Sequence, residues 1–134
     1  MANNYAAYPA LQGTLFGSTY FPWTVSTNAS AAEYTDTLAK YAPGQQPSGS
    51  GAAGWASWMA FRVAAKNLPD NPTPADIVTG LAAIPAGTTF GGFTPPTVSF
   101  AAGVAHPSPN CWWTMVVKDN KFQSVSPNPQ ISCG

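Results

Sequence analysis

The sequence predicts an α/β chain of about three helices, few strands and a C-terminal β-hairpin. Three observations lead there. Apolar residues recur at helical spacing in three segments, near 31–41, 51–68 and 74–83. A run of aromatic and β-branched residues at 11–21 ends at Pro22. Residues 112–125 hold two short apolar runs joined by Lys118-Asp-Asn-Lys121, a tight turn suited to positive φ. This order has too few strands for a complete parallel sheet, so the helices are expected to lack part of the layer they should cover.

In chain order, the first element is the strand at 11–21, Leu-Gln-Gly-Thr-Leu-Phe-Gly-Ser-Thr-Tyr-Phe, expected to be buried on at least one face. The first helix, 31–41, opens on Ser30-Ala-Ala-Glu33, which has capping-box spacing, and ends at Pro43-Gly44. Its Tyr34, Leu38 and Tyr41 form one apolar stripe. Residues 43–51 are a flexible connection too short to separate two domains.

The central helix, 51–68, is the longest uninterrupted helical pattern. Trp55, Trp58, Phe61, Ala65 and Leu68 step by three or four and are expected to face the core, with Arg62 and Lys66 toward water. Pro69 stops it, because proline disfavours helical geometry in the residue before it. For the third helix, 74–83, Thr73 can cap, Pro74 occupies the first helical position and Asp76 complements the dipole. Ile77, Val78 and Leu81 are its expected buried side. From Gly87 to Phe100, paired glycines and prolines break the chain into short extended pieces, and residues 101–134 form a β and loop tail. The whole is expected to be a single partial domain, 1–134.

Composition narrows the function. Five basic and five acidic side chains cancel, and 7% charged residues is far below the roughly 25% of an ordinary soluble protein. Lys40, Arg62, Lys66, Lys118 and Lys121 are scattered, which argues against nucleic acid and against an anionic membrane surface. A neutral chain rich in Ala, Gly, Pro, Ser, Thr and Asn suits an exported protein. Cys111 and Cys133 lie in a polar, Pro-rich tail without metal-binding context, so a disulfide is expected, with two reduced cysteines as the alternative. No secretory signal precedes them: the residues after Met1 lack a basic region and a long apolar run. An oxidised-looking chain without such a signal is expected to have lost its natural beginning.

No catalytic constellation is expected. His106 is the only histidine and stands in a Pro-rich loop, and Glu33, Asp36, Asp70, Asp76 and Asp119 mostly occupy helix starts and turns. Gly49-Ser-Gly51 and Gly91-Gly92 lack the lysine or the strand-to-helix setting of a phosphate loop. The reading is therefore a non-enzymatic chain that needs no cofactor or metal.

Taken in order, the segments resemble the carboxy-terminal part of the type I periplasmic-binding-protein-like family, the leucine/isoleucine/valine-binding solute receptors of ABC importers. The resemblance covers most of the chain. It is carried by Gly13-Thr-Leu-Phe-Gly-Ser-Thr-Tyr-Phe-Pro, Leu38-Ala-Lys-Tyr-Ala-Pro-Gly44, the Gly54-Trp-Ala helix and Thr73-Pro-Ala-Asp-Ile-Val-Thr-Gly-Leu81. Phe90-Gly-Gly-Phe-Thr-Pro-Pro-Thr-Val-Ser-Phe100 and Val117-Lys-Asp-Asn-Lys-Phe122 complete it. Asn120 replaces the turn glycine usual in the family, and the cysteine pair is not a general family feature.

The resemblance implies an incomplete lobe of a two-lobed fold that closes on a small ligand such as an amino acid. The missing N-terminal portion of the same receptor would precede Met1, and the full-length protein would work outside the cytoplasm with an ABC permease. The ligand side is expected where the first strand ends and the central helix begins, at Tyr20, Phe21, Trp23, Ser50 and Gly51. Core packing of Tyr20 and Phe21 is the plainer alternative.

A second function class is a secreted adhesive or structural module that uses exposed aromatics to contact sugar or protein. Burial separates the two. Trp55 and Trp58 on the core would favour the receptor, and an exposed flat row of Trp23, Trp112 and Trp113 the adhesive module.

Overall fold

A computed structural model describes residues 5–101, 103 and 110–134. His106 lies outside the described residues, as does part of the predicted tail. The elements are strand β1 (Leu15–Ser18), helices α1 (Ala29–Tyr41), α2 (Gly49–Ala64) and α3 (Pro74–Ala82), and strands β2 (Cys111–Lys118), β3 (Lys121–Ser124) and β4 (Ser132–Cys133). This is a mixed α/β architecture of three helices and a small antiparallel sheet among the described residues.

β2 is the central strand. It pairs with β1 on one side and β3 on the other, all antiparallel, and with β4 at its start. The predicted strand at 11–21 is regular only over its middle, although Gly13 N–H donates to the Val117 carbonyl at 2.8 Å and extends the pairing. Cys111, Trp113, Met115 and Val117 alternate with more exposed residues and bury one face of β2, the pattern of a half-covered strand. The turn is two residues, Asp119 at φ 51° and Asn120 at φ 60°, the left-handed pair that a tight hairpin requires. Cys111 and Cys133 are opposite one another in the β2–β4 register and form the expected disulfide across 22 residues of sequence.

Local capping fixes the helix starts. Thr73 and Asp76 form a reciprocal capping box on α3: the Thr73 N–H and hydroxyl each donate to Asp76 Oδ2 at 2.7 Å. α1 begins two residues before the predicted start, because the Asn28 side chain accepts from the Ala31 N–H and serves as the cap instead of Ser30. The Asn28 amide also donates to the Gly91 carbonyl at 2.9 Å, tying α1 to the segment after α3.

The central helix buries a different face from the predicted one. Ala52, Ala56, Ala60 and Ala64, four apart, are its buried stripe, whereas Trp58 is 52% exposed and Phe61 39%. Trp55 is half-buried against Tyr34, with ring centroids 5.9 Å apart, and Trp58 stacks on Phe61 at 5.4 Å on the outside. The reason is close approach. A Cβ on Gly51 would meet the Tyr34 hydroxyl, and a Cβ on Gly80 of α3 would run into the backbone carbonyl of Ala64. Neighbours that near α2 leave room on that side only for methyl groups.

Two apolar clusters result. Ala31, Tyr34, Ala52, Ala56 and Phe93 form the first, with Tyr20, Phe21, Trp23 and Leu38 packed against it; Ala60, Ile84 and Phe90 form the second. Ile77 and Leu81 are partly buried as expected, whereas Val78 is exposed. The segment 87–100, expected to be short extended pieces, is mostly turns. It places Phe93 fully inside and holds Phe90 at φ 46° before two positive-φ glycines.

Candidate functional site

The chain turns sharply after β1. The Ser18 hydroxyl donates to the Tyr20 carbonyl at 2.7 Å and accepts from the Tyr20 N–H, so the loop leaves the strand in a fixed direction. Three further anchors hold it: the Phe21 N–H donates to the Phe93 carbonyl at 2.9 Å, Pro22 is fully buried, and Thr24 Oγ1 accepts from the Ser124 N–H of β3. Trp23 is thereby laid against the start of α2, where its ring reaches within 3.8 Å of the position a Gly49 side chain would take.

The space enclosed is a cleft of about 330 Å³. Phe16, Tyr20, Trp23 and Phe122 give it aromatic walls, Met115 lies at its base, and the rest of the lining is Gly17, Ser18, Thr19 and Gly49. Phe16, Met115 and Phe122 share one face of the sheet through the β1–β2–β3 register. Phe16 meets Phe122 edge-to-face at 5.6 Å, and Tyr20 stacks on Phe93 at 6.0 Å, so two walls are held by neighbouring rings. Among the described residues no charged side chain lines the cleft. Trp23 and Phe122 also border a neighbouring depression of about 460 Å³.

Of the five residues expected at a ligand site, the structure brings Tyr20 and Trp23 to this cleft. Phe21 turns away to meet Trp113 edge-to-face at 5.8 Å. Ser50 is exposed one residue beyond the lining Gly49. Gly51 is outside the lining: its N–H donates to the Ser48 hydroxyl that caps α2, and its missing side chain accommodates Tyr34. Sequence reasoning missed Phe16, Met115 and Phe122. Cys-Trp-Trp-Thr-Met-Val-Val-Lys is apolar on both faces and does not mark Met115 as inward, and nothing local shows that residues 15–18 pair with 113–116. The tryptophans expected of an adhesive module form no row: Trp113 is 5% exposed on the buried face of β2, and Trp112 is 40% exposed on the other.

Among the described residues no three His, Cys, Asp or Glu side chains gather as a metal site. Hydrogen bonds from Thr73 hold Asp76, on α3, below its ordinary carboxylate pKa.

Three helices, a small antiparallel sheet and an aromatic cleft at a strand end describe part of an α/β binding-protein fold. A family model described as periplasmic binding protein matches residues 3–121, and the chain belongs to that family. The family is typically non-enzymatic and implies extracytoplasmic solute binding. No curated protein and no solved structure matches the chain significantly.

Proposed function

We propose that this chain is the carboxy-terminal segment of an extracytoplasmic solute receptor for an ABC importer, and that it supplies one wall of the ligand cleft. The ligand is an amino acid or a related small molecule, and the partners are the N-terminal portion of the same receptor and an ABC permease. One observation carries the reading: the loop after β1 and the start of α2 meet at a preformed aromatic cleft, bounded by Tyr20, Trp23 and Gly49. Small-molecule sites are concave, mostly apolar pockets, as this cleft is.

Calorimetry of this chain with leucine, valine and aromatic amino acids tests it. One wall offers few contacts against the cost of association, so the expected affinity is weaker than about 1 mM. Micromolar binding by the 134-residue chain alone would overturn the one-wall reading.

A further inference from the structure

We propose that the group this wall receives is an uncharged planar ring, the ring of an aromatic solute or of an aromatic side chain. The inference rests on the reading of the cleft as the ligand side. Four of its nine lining residues are aromatic and a fifth is Met115, whose sulfur suits contact with a ring. Among the described residues no Lys, Arg, Asp or Glu lines it, so an ammonium or carboxylate placed here would lose hydration without gaining an ionic partner. Of the three hydroxyls in the lining, that of Ser18 is engaged with the backbone of Tyr20 as both donor and acceptor, while Thr19 and Tyr20 can meet only a neutral polar substituent. Charged head groups therefore belong away from this wall, and the flat apolar part of the ligand against it.

Size agrees. A cavity of about 150 Å³ holds benzene, and the cleft has about 330 Å³. A branched aliphatic group would fill the same space but would forgo the ring-on-ring contacts that Phe16, Tyr20, Trp23 and Phe122 offer.

The test is an NMR titration of the 134-residue chain, with methionine methyls and tryptophan indoles labelled. The probes are benzyl alcohol, 3-methyl-1-butanol and leucine. Benzyl alcohol should move the Met115 methyl and the Trp23 indole saturably, with a Kd about two- to tenfold lower than that of 3-methyl-1-butanol. Leucine should move them least.

If the branched alcohol binds at the same signals as tightly as the ring, or leucine binds more tightly, the ring proposal falls while the cleft reading stands. If benzyl alcohol gives no saturable shift at Met115 and Trp23, both fall. Phe16→Leu should weaken benzyl alcohol by about twofold more than it weakens 3-methyl-1-butanol. Equal weakening of both probes would contradict a ring-specific contact. The footprint on the unaltered chain decides even if that variant does not fold.

Discussion

Trp58 and Ala52 exchange the roles their sizes suggest. The indole is half exposed and the methyl is fully buried, because α2 lies so close to its neighbours that bulk must point outward. Trp58→Ala should therefore cost about 1 kcal/mol or less, whereas Ala52→Leu should cost about 1–3 kcal/mol through overpacking. Urea melts of the two variants check the order, and a larger loss at Trp58 would restore the aromatic face as the core. The sequence pattern was read by bulk, and four alanines at helical spacing give little signal in such a reading. Thr73 was legible because its partner is three residues away, and capping depends on nothing farther.

Asp76 carries a pH dependence whose sign follows from its hydrogen bonds. Its hydrogen bonds to the Thr73 side chain and N–H hold the folded pKa below 3.8. The stability this adds is present above that value and disappears as pH falls through the folded pKa. Acid melts between about pH 5 and pH 2 should show the unaltered chain losing its advantage over Asp76→Asn. A constant difference across that range would mean that the capping carboxylate does not titrate with folding.

At the scale of elements, the sheet depends on a strand and a bond that both close long loops. The disulfide joins β2 to β4, and removing it with Cys111→Ser and Cys133→Ser should cost about 3 kcal/mol by releasing the unfolded chain. Thermal melts of the double variant read this, and an unchanged Tm would show that the tail is held by its other contacts. The hairpin turn offers the opposite sign. Asn120→Gly should stabilise by about 0.5–1 kcal/mol, because glycine adopts φ 60° without the residual Cβ penalty that even asparagine carries. Denaturant midpoints would show it, and a loss would mean that the Asn120 side chain matters more than its backbone. This turn was legible from four residues of sequence. The β1–β2 pairing was not, since its partners lie about 100 residues apart and the strand pattern names no mate.

For the whole molecule, α2 packs between α1 and α3 and all three meet the 87–100 segment, while the sheet gathers residues from both ends of the chain around an aromatic cleft. The order of elements and the disulfide were legible in the sequence, and Tyr20 and Trp23 were placed at the strand end that borders the cleft. Phe16, Met115 and Phe122 emerged only with the strand register, which no local pattern encodes. The cleft is where the account stands or falls. The most direct measurement is calorimetry of the receptor in which this chain is joined to its proposed N-terminal portion, compared with the same receptor carrying Tyr20→Ala and Trp23→Ala. Loss of two aromatic contacts of hot-spot quality should weaken the ligand by roughly 30-fold or more, about 2 kcal/mol. Equal affinity in the two receptors would contradict the assignment of this wall to the ligand.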